Sequence, residues 1–285
     1  MARTDESGRS AGLPAKAREY PVWLCDVWGV VHDGVTAFAG AVDALRQFRA
    51  GGGTVVLLTN APRPAATVAT QLAQLSVGPA VYDLIVTSGD VTQDLIASGP
   101  ARRIFHLGPD RDLPFFDDLD VELVAPGRAD AVVCTGLVED DTETPEAYRD
   151  MLAGFAGAGL PLYCANPDIV VRRGDRLLPC AGALAELYER MGGQVVIAGK
   201  PHAPIYRRTL RLLGERRGGA VGEDELMVIG DGIATDIKGA ADFGLEALFV
   251  TGGIHAGADE RAGAIADAER MLGARLVGIV PELRW

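Results

Sequence analysis

Short apolar runs, each ended by a polar residue and followed by a helix-like segment, are the feature that most restricts the fold of this chain. Residues 22–25 form the first run and end at Asp26, and residues 54–58 form the second and end at Thr59 and Asn60. Runs of this length suit strands that are buried on both faces. Because the strand and helix patterns alternate at βαβ spacing, the sequence predicts a parallel α/β sheet with right-handed crossovers.

This alternation is interrupted once and then resumes, which predicts two domains within the 285 residues. Residues 99–179 contain an acidic, loop-like stretch and further short strands, and they are predicted to form an inserted α/β domain, a cap, with its own small sheet. Residues 21–98 and 180–285 then form one Rossmann-like core, with residues 195–198 as one of its strands. Residues 1–20 are polar and are predicted to be mobile.

The charge and the hydrophobic pattern argue against several classes of protein. The formal net charge is -12, which argues against nucleic acid and anionic membranes as partners. No apolar run has the length of a membrane span or a signal peptide, so we expect a cytoplasmic protein. The four cysteines form no Cys-x-x-Cys pair and accompany no histidine cluster, so they are predicted to be small buried side chains.

Polar groups follow four of the predicted core strands. The set comprises Asp26, Thr59, Asn60, Lys200, Asp231 and Asp236. Taken singly, each has a structural explanation, since a strand-end aspartate often caps a helix and a lysine in a turn is often solvated. In a parallel sheet, however, the carboxyl ends of the strands share one edge, so these groups are predicted to converge. Together they offer a carboxylate nucleophile, donors and a cation for phosphoryl oxygens, and oxygen ligands for Mg²⁺.

The motifs around these residues resemble those of the haloacid dehalogenase (HAD) superfamily, class IIA branch, which includes phosphatases of p-nitrophenyl phosphate, sugar phosphates, nucleotides and pyridoxal phosphate. The four motifs are Asp26-Val-Trp28-Gly-Val, Leu-Leu-Thr59-Asn60, Gly-Lys200-Pro and Gly-Asp231-Gly-Ile-Ala-Thr-Asp236. The resemblance covers residues 21–251. It also places a cap domain between the second and third motifs, where the inserted domain is predicted.

The resemblance implies a phosphatase that acts on a small phosphorylated metabolite through an aspartyl-phosphate. Asp26 would attack phosphorus and carry the phosphoryl group. Thr59 and Asn60 would hold that group, and Lys200 would offset its charge. The resemblance is also compatible with a homodimer, since relatives dimerise through the cap.

The resemblance implies in addition that Mg²⁺ is the cofactor. Its ligands would be Asp26, the main-chain carbonyl of Trp28, and Asp231. Asp236 would act beside them, through water or by orienting a neighbouring group.

Two further segments are predicted to contact the substrate. The cap stretch Cys-Ala-Asn166-Pro167-Asp168 resembles the family's Thr-Asn-Pro-Asp segment, which faces the active site. His202 follows Lys200 and Pro201, and it is a candidate for lining the same site.

The first motif departs from the family at Trp28. Family phosphatases carry a second aspartate there, which protonates the leaving group and contributes about 10²–10⁴ in rate. The first interpretation is a phosphatase whose substrate has a good leaving group, or in which His32 or Asp33 supplies the proton. The alternatives are a protein that binds a phosphometabolite without turnover, and a dehalogenase. Dehalogenases need no metal, and the retained Asp231 and Asp236 disfavour that alternative.

Overall fold

The computed structural model describes residues 12–174, 176–254 and 258–285, and these residues form two compact units. Unit 1 comprises the described parts of Met1–Thr59, Ala69–Val86 and Tyr206–Trp285. Unit 2 comprises Asn60–Val68 and the described parts of Thr87–Ile205.

Strands and helices alternate along most of the described chain. The strands are β1 (Val22–Cys25), β2 (Thr54–Thr59), β3 (Leu84–Thr87), β4 (Arg103–Leu107), β5 (Glu122–Leu123), β6 (Ala131–Cys134), β7 (Leu162–Cys164), β8 (Val170–Arg173), β9 (Arg176–Pro179), β10 (Val195–Ile197), β11 (Leu226–Gly230), β12 (Glu246–Val250) and β13 (Leu276–Val280). The α-helices are α1 (Ala39–Ala50), α2 (Ala65–Gln74), α3 (Ser88–Ser98), α4 (Arg149–Gly157), α5 (Ala181–Arg190), α6 (Ala203–Arg217), α7 (Lys238–Phe243) and α8 (Ala258–Leu272).

Unit 1 is built on a six-stranded sheet in the order β13-β12-β11-β1-β2-β3. Strand β1 lies inside the sheet and pairs in parallel with β2 on one side and with β11 on the other. All four residues of β1 and all five of β11 are buried, as expected for strands that are covered on both faces. The α/β, Rossmann-like core predicted from the apolar runs is therefore confirmed.

Helix α1 shows how the flanking helices hold this sheet. It buries an apolar stripe that includes Leu45 and Phe48, and the Phe48 ring stacks on Trp23 of β1 at a centroid distance of 3.7 Å. The chain then passes through Gly53, where a Cβ atom would lie 2.4 Å from the Phe48 ring. Glycine is required at this position because the backbone passes directly under the aromatic ring.

The segment before β1 is packed on unit 1. A 3₁₀ helix spans Ala15–Glu19, and the indole N–H of Trp23 donates to the carbonyl of Ala17 over 2.9 Å. The main-chain N–H of Leu13 donates to Arg284 at the other end of the chain. The expectation of a mobile segment over residues 1–20 therefore does not hold for residues 12–20, and residues 1–11 lie outside the described residues.

Unit 2 contains a five-stranded sheet in the order β10-β7-β6-β4-β5, whose four pairs are all parallel. A separate antiparallel hairpin joins β8 to β9. The assignment of residues 195–198 to the core sheet is wrong, because Val195–Ile197 pairs with β7 of this second sheet. Helix α5 also packs into the apolar core of unit 2, so the inserted unit extends beyond residue 179 and reaches Ile205.

The four cysteines are buried with free thiols, as their apolar surroundings predicted. In the part of the chain that the structure describes, no helix combines the length and the apolar character needed to cross a membrane.

Candidate active site

Three carboxylates meet at the carboxyl ends of neighbouring strands in unit 1. Asp26 directly follows β1, Asp231 directly follows β11, and Asp236 lies in a short π-helical turn at Ile233–Ile237. The exposed fractions of the three residues are 7%, 5% and 2%. One carboxylate oxygen from each lies within 4.8 Å of the others. The convergence that the parallel sheet predicted is present for these three residues.

This trio fits a divalent cation. Three carboxylates so close together repel one another, and burial makes each negative charge costlier still. A bound cation removes both penalties, and carboxylate oxygens are the ligands that Mg²⁺ and Ca²⁺ prefer.

Asp231 is enclosed by glycines and held by the main chain. Its Oδ2 accepts a hydrogen bond from the N–H of Ile254 over 2.7 Å. A Cβ atom on Gly253 would lie 1.8 Å from that oxygen, and one on Gly29 would lie 2.2 Å from it. Gly29 also has a φ of +87°, a conformation that side chains other than glycine rarely adopt. The sequence reasoning missed Gly253 and Ile254, although the glycine pair after the β12 run was a signal.

Asp236 is fixed from within its own turn. Its Oδ2 accepts from the N–H of Gly232 over 3.1 Å and from the hydroxyl of Thr235 over 3.4 Å. A Cβ atom on Gly230 would lie 2.2 Å from its Cγ. The last residue of β11 therefore has to be glycine for this carboxylate to reach its position.

The Trp28 side chain packs across the loop that follows Asp26. Its ring meets the His32 ring edge-on, with centroids 5.1 Å apart. A Cβ atom on Gly34 would lie 2.4 Å from the Trp28 Cη2 atom, so glycine is needed for this packing. The N–H of Gly34 donates to Nδ1 of His32 over 2.9 Å, which closes the loop.

The two titratable groups beyond Trp28 have shifted pKa values. Burial lowers the pKa of His32 to about 4, and this outweighs the opposite effect of the Asp33 charge. Partial burial raises the pKa of Asp33, but hydrogen bonds to its carboxylate, including those from the main-chain N–H groups of Thr36 and Val35, hold it below the usual value.

In unit 2, Asn60 joins two segments that are far apart in sequence. Its Oδ1 accepts from the main-chain N–H of Lys200 over 2.8 Å, and its Nδ2 donates to the carbonyl of Lys200 over 3.1 Å. The same Nδ2 donates to Oδ1 of Asp168 over 2.8 Å. Both Asn60 and Lys200 are buried. The structure thus brings together three of the predicted site residues.

The remaining predicted residues of unit 2 lie next to this group. Oδ1 of Asn166 accepts from the main-chain N–H of Asp168 over 3.1 Å. Pro167 packs so tightly on Gly199 that a Cβ atom on the glycine would lie 2.8 Å from the proline Cγ. His202 is exposed, and its main-chain N–H donates to the carbonyl of Gly199.

Thr59, the last predicted residue, is the buried final residue of β2 and ends the first segment of unit 1. It directly precedes Asn60 in the chain.

Comparison with known proteins identifies the class. A family model described as haloacid dehalogenase-like hydrolase matches residues 23–122, and one described as HAD-hydrolase-like matches residues 197–271. The crystal structure of a haloacid dehalogenase-like hydrolase from Brucella suis 1330 shares 54% identity and a TM-score of 0.82, covering 85% of this chain and 92% of that one. The chain therefore belongs to the haloacid dehalogenase-like hydrolases.

Relatives with a named activity are phosphatases. The D-glycerol 3-phosphate phosphatase of Mycobacterium tuberculosis is 31% identical over 85% of this chain, which spans 66% of that relative's length. The ribonucleotide monophosphatase NagD of Escherichia coli K12 is 29% identical over 81% of this chain and 87% of the relative. A crystal structure of the mycobacterial glycerol phosphate phosphatase in complex with magnesium shares 27% identity and a TM-score of 0.65, covering 85% of this chain and 71% of that one. The class IIA resemblance is confirmed, and the chain is a phosphatase of this superfamily.

Proposed function

We propose that this protein is a Mg²⁺-dependent phosphohydrolase that acts on a small phosphorylated metabolite through an aspartyl-phosphate on Asp26. The observation that carries the proposal is the buried trio of Asp26, Asp231 and Asp236, with oxygens within 4.8 Å of one another. The magnesium complex of a related phosphatase supports the choice of ion. The net charge of -12 supports a metabolite rather than nucleic acid as the partner. The cytoplasmic location and the homodimer stay predictions.

The proposed chemistry runs in two displacements at phosphorus. A carboxylate oxygen of Asp26 forms a bond to phosphorus while the bond from phosphorus to the leaving oxygen breaks, and that oxygen keeps the electron pair. Water then attacks the same phosphorus, which releases phosphate and restores the carboxylate. Asp26, Asp231 and the carbonyl of Trp28 would hold the cation, with Asp236 beside them. When bound, the cation supplies positive charge that stabilises the phosphoryl oxygens.

Residues at the other strand ends are proposed to position the phosphoryl group. Thr59 and Asn60 would donate to its oxygens, and the ammonium of Lys200 would offset its charge. The hydrogen bonds between Asn60 and the main chain of Lys200 support a second role for Asn60, namely to fix the backbone that carries the lysine.

A second group of residues is proposed to contact the substrate. It comprises Asn166, Pro167, Asp168 and His202. The hydrogen bond between Asn60 and Asp168 supports a place for this segment next to the phosphoryl-binding residues of unit 2.

The test is phosphate release from a panel of phosphate monoesters and acyl phosphates, with and without Mg²⁺. We expect release by the wild type with Mg²⁺, and loss of at least about 10³-fold in Asp26→Asn because the nucleophile is gone. Asp43→Asn is the matched control, since Asp43 is an exposed aspartate on α1. Phosphate release that persists in Asp26→Asn, or that is unchanged when Mg²⁺ is removed, would refute the proposal.

The alternative of binding without turnover is favoured by one observation, the Trp28 ring packed across the loop after Asp26. Its signature would be Mg²⁺-dependent binding of inorganic phosphate in calorimetry together with no release from any member of the panel.

A further inference from the structure

The loop from Asp26 to Gly34 is where a proton donor for the leaving group would be expected, because it follows the proposed nucleophile directly. Its sequence is Asp-Val-Trp-Gly-Val-Val-His-Asp-Gly. Apart from Asp26, three side chains in this loop have a nitrogen or oxygen that can carry a proton, namely those of Trp28, His32 and Asp33. Whether any of them can donate to a leaving oxygen follows from their contacts.

The indole of Trp28 is not an acid near neutral pH, and its ring is held between Gly34 and His32. His32 is buried, and its Nδ1 accepts the N–H of Gly34. A ring nitrogen that accepts such a hydrogen bond carries no proton of its own, and the N–H on the other nitrogen of a neutral imidazole is not acidic.

The carboxylate of Asp33 is hydrogen-bonded to the turn that follows. Its Oδ1 accepts from the main-chain N–H groups of Val35 and Thr36 over 2.9 and 2.7 Å. Two N–H groups at the carboxylate favour its ionised form, which has no proton to donate, and they hold the side chain in the turn. None of the side chains in the loop after Asp26 is therefore placed to protonate a departing oxygen.

The consequence depends on the leaving group. A carboxylate is the base of an acid with a pKa of about 4, and a phenolate that of an acid with a pKa of about 10. An alkoxide is comparable to hydroxide, whose conjugate acid, water, has a pKa of about 15.7. The first two can depart unprotonated, whereas an alkoxide is strongly assisted by an acid, at about 10²–10⁴ in rate.

Building on the proposed function, we propose that this enzyme is specialised for phosphoryl compounds whose leaving oxygen departs without a proton, namely acyl phosphates and phosphates of acidic phenols or enols. In the first step the Asp26 oxygen bonds to phosphorus, the bond to the leaving oxygen breaks, and the product departs as a carboxylate, phenolate or enolate. No proton moves in this step. Alkyl phosphate esters are poor substrates because their alkoxide leaving group receives no proton in this step.

The test compares leaving groups on the Mg²⁺-loaded enzyme. Values of kcat/KM are measured for aryl phosphates of graded phenol pKa, for acetyl phosphate and for glycerol 3-phosphate, with Asp26→Asn as the blank for spontaneous hydrolysis. We expect log kcat/KM to fall steeply as the leaving-group pKa rises, with glycerol 3-phosphate the slowest.

Trp28→Asp tests the cause, because it supplies a carboxyl group at the position of the indole. This variant should flatten the slope and raise turnover of glycerol 3-phosphate relative to acetyl phosphate by about 10²-fold or more. Trp28→Phe is the matched control and should keep the steep slope, whatever its absolute rate. If Trp28→Asp does not fold, as judged by its circular dichroism, the slopes of the wild type and Trp28→Phe still decide the question.

The outcomes separate this inference from the function on which it rests. Asp26-dependent release with a flat slope in the wild type overturns the leaving-group inference and leaves the phosphatase in place. No Asp26-dependent release from any substrate, acyl phosphates included, overturns both.

Discussion

Substitution of Gly253 by alanine should weaken binding of the proposed divalent cation, although it replaces none of the proposed ligands. A Cβ atom at this position would lie 1.8 Å from Oδ2 of Asp231, whereas real Cβ atoms essentially never approach closer than 3.0 Å. The carboxylate must therefore move by about 1.2 Å or more. A Mg²⁺ ion holds its ligands at about 2.0–2.1 Å in near-ideal geometry, so a shift of this size removes an oxygen from its coordination position.

The expected loss follows from the interaction that holds Asp231 in place. Its Oδ2 accepts the N–H of Ile254 over 2.7 Å, and that hydrogen bond cannot survive the displacement. A hydrogen bond to a charged group contributes about 1.5–3 kcal/mol. If the cation must restore this arrangement in order to bind, its Kd rises by roughly 10- to 150-fold.

The assay is a calorimetric titration of Mg²⁺ into the wild type, Gly253→Ala and Gly263→Ala. Gly263 is an exposed residue of α8 where a Cβ atom meets nothing within 4 Å, so this second glycine-to-alanine change should leave Kd unaltered. Melting temperatures without metal show whether either variant alters the fold. An unchanged Kd in Gly253→Ala would refute the view that this glycine is required for the position of Asp231.

Three further outcomes are expected. Asn60→Ala removes three hydrogen bonds in unit 2, so urea unfolding should show a loss of about 1–3 kcal/mol, and an unchanged midpoint would contradict this role. The pKa of His32 is about 4 in the folded protein against an ordinary value of 6.5, so the unfolded chain takes up the proton first and the free energy of unfolding falls as pH drops from 6.5 to 4. Urea unfolding at each pH should show that His32→Gln loses about 3 kcal/mol less of this free energy than the wild type over the same pH range. Burial raises the pKa of the Cys134 thiol to about 12 and the other three cysteines are buried too, so iodoacetamide should label none of them in the native protein.

Some of this site could be predicted from the sequence because it depends on strand ends. The apolar runs before Asp26 and Asp231 are long enough to be recognised, and a parallel sheet places the ends of such runs at one edge. The sheet to which a run belongs is a different matter. Val195–Ile197 has the same apolar character as a core strand, and only its pairing with β7 places it in the second sheet. Residues 276–280 are apolar as well, yet their pattern did not lead to a prediction of β13.

The surroundings of the site residues could not be predicted, because they depend on contacts between distant segments. Ile254 lies 23 residues from the carboxylate that it binds, and Asn60 lies 140 residues from Lys200. Neither a glycine pair nor a lone asparagine indicates which group it will meet. The motif resemblance predicted which side chains are chemically active, and the packing around them emerged only from the three-dimensional fold.

The placement of the aromatic side chains determines what optical spectroscopy can report about this protein. Its three tryptophans, Trp23, Trp28 and Trp285, all lie in unit 1. Trp23 is stacked in the core, Trp285 lies near it at the end of the chain, and Trp28 lies two residues after Asp26. Tryptophan fluorescence therefore reports the unfolding of unit 1 and changes in the loop after Asp26, while unit 2 contains no tryptophan and adds no emission of this kind. An unfolding step that changes the far-ultraviolet circular dichroism but leaves the tryptophan emission unchanged would belong to unit 2.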